Sequence, residues 1–295
     1  MTTPTSPPVD PRLAWDLPAP GTMTVVAPLD ELTTRVLAPN PSPMTLDGTN
    51  TYIMAVPGSG TAIVVDPGPD DAHHLATVED VLARIDATVG VVVVTHHHHD
   101  HAEAAHAWSR RFRAPVAAAT IEVAGDGGRV VGDGDRISCG GLDLDVVPTP
   151  GHTADHLAFR APNGVLLTGD HVLGRGTSVV AHPDGDLVAY LSSLRRVADL
   201  GPDALYPGHG PALTEDPGAV LAYYARHRDF RRAQVVQQLG QGPATPAELV
   251  RRIYAEVDRR LWPAAEASTR ATLRLLVAEG RARWRGDDAA ATLVR

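Results

Sequence analysis

Between Thr95 and Ala102 the sequence reads His96-His-His-His-Asp100-His101. Taken at alternate positions and then consecutively, the packet offers His96, His98, Asp100 and His101. Imidazole and carboxylate are the donors that suit zinc and its first-row neighbours. A solvated loop needs no such density of imidazoles to fold. Histidine runs also arise as tag remnants, but those sit at chain ends; this one follows Val91-Val-Val-Val94 and closes on Asp-His. Four valines read as a strand buried on both faces, whose end would hold these side chains firmly.

Three downstream segments repeat the design. Pro150-Gly-His152, Thr168-Gly-Asp170 and Tyr206-Pro-Gly-His209 each put one donor after an apolar run, beside a glycine that permits close backbone approach. The donors divide into two sets. His96, His98 and His152 supply three nitrogens to one ion; Asp100, His101 and His209 supply a second; Asp170 can bridge both. Each ion would keep an open position, and a water between them would lose a proton near neutral pH and become the nucleophile. The expected cofactors are two Zn2+, with Mn2+ or Fe2+ as alternatives. The expected catalytic residues are Asp100 and His156. His156 could contact a substrate phosphate or protonate a leaving group, or make a structural hydrogen bond instead. Asp66 is expected to orient a histidine rather than bind metal. His97 and His99 alternate to the other side of an extended chain. Arg175, between two glycines, and Thr177 are candidates to touch substrate.

These donors need a scaffold. Short strands are expected at Thr24 to Ala27 and Thr34 to Leu37, and a hairpin from Asn50 to Val65. A helix follows over Asp70 to Ile85, where apolar residues recur at helical spacing. His101 to Arg113 reads as one Ala-rich helix whose N-terminal dipole would favour an anion at the packet. Arg136 to Val147 and Leu157 to Thr168 read as antiparallel meanders, Asp186 to Leu200 as a helix, and Ala204 to Tyr206 as a last strand. Strands then a helix, twice over, imply two sheets packed face to face with helices outside, an α/β fold. Pro217 to Leu239, Thr245 to about Val257 and Ala264 to Ala278 read as three helices, the second opening on a capping box, and a small hairpin follows. That is the outline of a winged-helix module. The domains expected are a flexible segment over 1–20, a catalytic domain over 21–220 and a winged-helix-like domain over 221–295.

Composition bounds the setting. The one cysteine, Cys139, excludes an intrachain disulfide. No run is long and apolar enough for a membrane helix and no signal peptide leads the chain, so a cytoplasmic protein with no membrane partner is expected. The net charge of −9 is unevenly placed. Residues 1–220 carry 12 basic and 27 acidic residues, whereas 221–295 carry 14 and 8. The basic tail either meets something anionic or is a solvated arginine face. On the third tail helix, Arg270 and Arg274 are the only candidates to read nucleic acid. Trp262 and Trp284 are expected in the small core rather than as stacking platforms. A homodimer is a further expectation.

The segments, with Asp66, resemble the metallo-β-lactamase fold superfamily, whose αββα sandwich carries its site along the edge of two sheets. The resemblance spans about residues 30–215. Gly48-Thr-Asn-Thr-Tyr-Ile53, Thr149-Pro-Gly-His-Thr-Ala-Asp-His156, Gly169-Asp-His-Val-Leu-Gly-Arg-Gly-Thr177 and Leu205-Tyr-Pro-Gly-His-Gly-Pro211 are similar to the β-lactamase-like protein 2 family, and Arg226-His-Arg228 with the winged-helix ending extends the likeness. That family implies a zinc-dependent endoribonuclease on single-stranded RNA. His171 departs from the pattern, which has a cysteine there, so that position is not expected to ligate. The alternative reading is a thioester or acyl hydrolase of the hydroxyacylglutathione hydrolase type, acting on a small acyl substrate. Those enzymes bind a thiol carrier through basic residues, and no such cluster stands out along the sequence.

Overall fold

The structure, a computed structural model, describes residues 6–294. Seven strands form the first sheet in the order of the chain: β1 (Val26–Pro28), β2 (Thr33–Leu37), β3 (Asn50–Met54), β4 (Thr61–Val65), β5 (Thr88–Val93), β6 (Val116–Ala118) and β7 (Arg129–Val130). The first four pair antiparallel and the last four parallel. The second sheet holds β8 (Arg136–Cys139), β9 (Leu142–Pro148), β10 (Leu157–Arg160), β11 (Val165–Gly169) and β12 (Ala204–Pro207), in the order β12-β11-β10-β9-β8. Helices α1 (Ala72–Arg84), α2 (His99–Ala102), α3 (Ala105–Phe112) and α4 (Ile121–Ala124) belong to the first half, and α5 (Leu187–Leu200) to the second. The expected αββα sandwich is borne out.

The valine run shows why the sequence folds this way. Val91 and Val93 point between the sheets, against residues such as Leu144, Phe159 and Leu167. Val92 and Val94 point outward, under Val78, Val81 and Trp108 of α1 and α3. Successive side chains on a strand alternate faces, so a strand covered on both sides must be apolar throughout. On the other flank Tyr190, Leu194 and Val197 of α5 cover Ala158, Leu166 and Leu205.

The tail contains α6 (Pro217–Leu239), α7 (Pro246–Ile253), α8 (Trp262–Ala278) and the hairpin β13 (Ala282–Arg283) with β14 (Thr292–Leu293), the winged-helix outline. The capping box is present: the Thr245 hydroxyl accepts from Glu248 N–H, and Glu248 accepts in return from Thr245 N–H. The residue 220/221 boundary falls inside α6. Val220, Leu221 and Tyr224 pack with the main body, Val235 and Leu239 with the tail. Ala271 and Leu275 of α8 join the main-body cluster, so the small unit leans on the larger one. Trp284 packs at the edge of the tail core.

Three expectations need correction. Residues 6–20 are not a loose lead-in, while Met1 to Thr5 lie outside the described residues. Arg12 is buried, pairs with Asp10, and donates to the carbonyls of Leu173 (2.7 Å) and Gly176 (2.6 Å), with its guanidinium 5.5 Å from the ring centres of Tyr223 and Tyr224. The helix expected over His101 to Arg113 is broken. Gly68 takes both ends of the break, its carbonyl accepting from Ala104 N–H and its N–H donating to His101 C=O. The single turn α2 is too short for the dipole assigned to it. Finally, the second tail helix stops at Ile253 rather than near Val257.

Helix α1 is tied to the sheet by one imidazole. Thr51 Oγ1 donates to the Asp66 carbonyl and therefore accepts from His74 Nε2, leaving His74 Nδ1 as an unpaired buried lone pair. Burial lowers the His74 pKa to about 4. The folded state thus binds its proton less readily than the unfolded chain. The stability from neutral His74 is present above about pH 6.5 and is lost as the pH falls toward 4, up to about 3 kcal/mol. Urea unfolding of chelator-treated protein at pH 7.5 and 4.5 is expected to show this loss, reduced by about 2 kcal/mol in His74→Gln. Equal losses in the two proteins would refute the assignment.

Candidate metal centre

All seven expected donors meet beyond the ends of β5, β9, β11 and β12, with Asp66 at the end of β4 beside them. Val93 of β5 lies beside Val65 of β4, so the residues just beyond them, Asp66 and Thr95, are neighbours. Parallel pairing of β11 with β12 brings Asp170 and His209 together across Gly169 and Pro207. Three donor sets result: His96, His98 and His152; His96, His101 and Asp170; Asp100, His101 and His209. Each has its ligand atoms within 4.8 Å of one another.

The geometry is that of lone pairs aimed at shared points. His98 Nδ1 lies 3.0 Å from both His96 Nε2 and His152 Nε2, and His101 Nε2 lies 3.2 Å from His209 Nε2. Asp170 faces both groups: Oδ1 is 3.5 Å from His101 Nε2 and 3.4 Å from His209 Nε2, and Oδ2 is 3.6 Å from His152 Nε2. Oδ1 is buried without a hydrogen-bond donor. Asp100 Oδ2 lies 3.1 Å from His209 Nε2. The outward nitrogens of four rings are occupied. His101 Nδ1 meets Asp66 Oδ2 at 2.8 Å, His152 Nδ1 the Val179 carbonyl at 2.6 Å, His96 Nδ1 Thr95 Oγ1 at 3.0 Å and His209 Nδ1 the Gly48 carbonyl at 3.2 Å. Outer partners that fix four of the five rings while the inner nitrogens converge are the signature of metal-ligating histidine. The residues present therefore fit divalent metal, which these seven side chains would hold, with Asp170 facing both groups of donors.

Charge divides the rings: burial works against the charge of His101, yet Asp66 and Asp170 hold it well above its ordinary value. Burial, followed by the neighbouring imidazoles, pushes His96 well below its ordinary value, and burial with His152 brings His98 to about 4. These rings are neutral, the form that ligates. Burial opposes ionisation of Asp100, yet the His209 hydrogen bond and the charges of His101 and His209 hold it at about 2. Burial works against His209 likewise, and Asp170 with Asp100 overrides it, to about 9.

Gly208 explains one requirement for small backbone. A Cβ there would lie 2.6 Å from His101 Cε1 and 2.7 Å from Asp170 Oδ1, inside the centre itself.

The neighbours sort as follows. Asp66 orients His101, as expected. His97 turns away to Asp155 (2.8 Å) and His99 to Glu103 (3.1 Å), although a helical turn rather than strand alternation points His99 outward. His156 takes the structural side of its two alternatives and needs correction as a catalytic residue. Its Nε2 accepts from Asp170 N–H at 3.1 Å and its Nδ1 meets Thr149 Oγ1 at 2.8 Å, so no nitrogen is free for a substrate. His171 belongs to none of the donor sets; its ring lies against Tyr190, with both nitrogens unpaired.

A cavity of about 330 Å³ lies next to the centre, lined by Met44, Leu46, Leu173, Val179 and Leu261 and by Arg175, Arg228 and Arg231. It shares walls with the donor loops: Val179 holds His152, and Leu46 packs against Gly210, which follows His209. Of these, Arg175 was expected near the substrate, Arg228 entered only through the family likeness, and Arg231 was not singled out. The one signal joining the last two was three-residue spacing on α6, which puts Arg228 and Arg231 on one face.

The comparisons agree with this geometry. The family profile described as "Metallo-beta-lactamase superfamily" matches residues 44–209, and "Beta-lactamase associated winged helix domain" matches residues 245–290. The chain belongs to the metallo-β-lactamase superfamily. It is therefore a hydrolase of a group that typically binds divalent metals. It is 33% identical over 272 residues to a Beta-lactamase-like protein 2 homolog of Drosophila melanogaster, covering 84% of this chain and 89% of that one. It is 33% identical over 233 residues to an Atrochrysone carboxyl ACP thioesterase of Aspergillus chevalieri, covering 76% and 73%. A Beta-lactamase domain protein from Burkholderia ambifaria superposes with a TM-score of 0.78 over 97% of both chains at 24% identity, which speaks to fold alone. Among the described residues no helix is long and apolar enough to cross a membrane.

Proposed function

We propose that this metallo-β-lactamase superfamily member hydrolyses acyl thioesters, with zinc as the resident metal. The observation that carries the substrate class is the cavity. At about 330 Å³ it sits at the small end of ligand sites, which run from roughly 300 to 1,000 Å³, and its walls are mostly apolar. That suits a small acyl compound better than a polynucleotide strand. The similarity to a protein named an acyl-carrier thioesterase supports the same class.

The seven donors would hold divalent metal, which when bound would supply Lewis acidity toward a carbonyl oxygen and toward water. The protein's own groups do the rest. Asp170, fixed through its backbone by His156, sets the spacing of the two donor groups. Asp100 is the more open carboxylate, with its side chain 29% exposed against 12% for Asp170. In this reading Asp100 takes a proton from water and returns it to the leaving thiolate. The apolar walls exclude water from the acyl compound.

Cleavage of single-stranded RNA is the second reading, favoured by the basic tail. It ranks behind because the cavity is small for a strand; part of the tail's charge is also paired within the tail, Arg232 with Glu279, Arg260 with Asp258, and Arg270 with Glu266 and Asp288. Purified protein supplied with zinc or manganese is expected to hydrolyse short acyl thioesters with kcat/KM above about 10⁴ M⁻¹s⁻¹, the lower end of ordinary enzymes. An unstructured RNA oligonucleotide should stay intact. Cleaved RNA with intact thioesters would reverse the order.

A further inference from the structure

Arg175, Arg228 and Arg231 converge on the cavity from two separate parts of the chain, and among the described residues none of them has an acidic partner within ion-pair distance. Arg228 is buried. Its guanidinium stacks 4.8 Å from the Tyr190 ring centre and donates to the Ser178 carbonyl, yet its Nε is unpaired. Arg231 lies 4.5 Å from the Tyr254 ring centre and reaches Gln234, with its Nε again unpaired. Arg175 leaves both Nε and Nη2 buried and unpaired. Unsatisfied guanidinium N–H groups enclosed by protein are costly unless something accepts from them. Asp10, whose charge reaches His227 beside the cluster, is already engaged by Arg12. The positive field is visible on a bystander: burial, then Arg228 and Arg231, hold the neighbouring His227 neutral down to about pH 3.

We infer that this cluster is a phosphate-binding subsite, which holds a phosphoryl group on the non-reacting part of the substrate while the reacting bond lies at the metal centre. Guanidinium groups meet phosphate oxygens in paired, planar fashion, and three of them offer N–H donors to every non-bridging oxygen of a phosphoryl group and more than neutralise its charge. The position suits that division of labour. Ser178 ties Arg228 to the loop behind Asp170, its carbonyl accepting from Arg228 and its hydroxyl donating to the His171 carbonyl. The next residue, Val179, holds His152. The apolar walls between would line the linker joining phosphate to reacting bond. The inference deepens the proposed function and rests on it for the location of the substrate. The phosphate itself could come from a phosphorylated thiol-carrier arm or from an RNA backbone, the second reading.

Binding measured without turnover separates these. Holoprotein, with metal content verified, would be titrated calorimetrically with S-hexyl-coenzyme A, with S-hexyl-pantetheine, which lacks the phosphates, and with an uncleavable 2′-O-methyl RNA octamer. The same ligands would be titrated into Arg175→Gln, Arg231→Gln and the double variant. Among the described residues the Arg175 side chain has no hydrogen-bond partner, so Arg175→Gln keeps the fold even if Arg228 variants do not. The expected result is at least a 10-fold loss of S-hexyl-coenzyme A affinity in each single variant, with S-hexyl-pantetheine changed by less than 2-fold. If only the RNA octamer binds and weakens likewise, the phosphate subsite stands and the thioester reading falls. If no phosphate-bearing ligand binds the wild type, or if the variants bind as the wild type does, the subsite is overturned.

Discussion

Asp170→Ala is expected to reduce hydrolysis at least about 10³-fold and to lower the metal content below two ions per chain. Asp170 alone has one oxygen facing His101 and His209 and the other facing His152. Its loss uncouples the two donor groups and removes the only buried carboxylate between them. Three powers of ten is about 4 kcal/mol of transition-state stabilisation, the scale attributed to a Lewis-acid centre. The backbone N–H of residue 170 still donates to His156 in the variant, so the loop should keep its shape. Asp170→Asn tests charge separately from shape. It keeps one acceptor but no charge, and it should fall between alanine and wild type in both metal content and rate. Full metal loading and activity within tenfold of wild type in Asp170→Ala would remove Asp170 from the centre and, with it, the two-ion scheme.

The site was legible in the sequence because each donor directly follows an apolar strand that packing makes easy to recognise. His96, His152, Asp170 and His209 come at the ends of Val91–Val94, Leu142–Val147, Gly164–Thr168 and Ala204–Tyr206. The sheet then has only to align those ends. What stayed illegible depends on contacts without local pattern. The break between α2 and α3 comes from Gly68, more than thirty residues earlier, capturing Ala104 N–H. The anchoring of the N-terminal segment depends on Arg12 reaching carbonyls of the loop after Asp170. The cationic cavity needs Arg175 from that loop and Arg228 and Arg231 from a helix fifty residues on. His156 could not be assigned from spacing, since only the fold reveals that the Asp170 N–H lies against its free nitrogen.

Asp66 yields the second large effect. It holds a left-handed backbone (φ +52°), and its carboxylate gathers three donors. Oδ1 accepts from Thr95 N–H at 2.8 Å; Oδ2 accepts from Thr95 Oγ1 at 2.9 Å and from His101 Nδ1 at 2.8 Å. Asp66→Ala leaves a buried N–H and a buried imidazole N–H unpaired, at about 1–3 kcal/mol for each lost acceptor. A destabilisation of about 3 kcal/mol is expected in urea unfolding. His101 would also lose what fixes its ring and raises its basicity, so metal affinity should drop a further 10- to 100-fold, the usual consequence of losing such an orienting partner. Asparagine separates the two roles. It tolerates the left-handed backbone and can still accept from Thr95 N–H, but it carries no charge to set against His101. Asp66→Asn is therefore expected to lose about 1–3 kcal/mol, the cost of the His101 N–H left without an acceptor and less than Asp66→Ala loses, and to release metal to a competing chelator at roughly tenfold lower chelator concentration. Wild-type metal retention in Asp66→Asn would make Asp66 a support of the β4 and β5 ends only, leaving His101 held by packing rather than by its carboxylate.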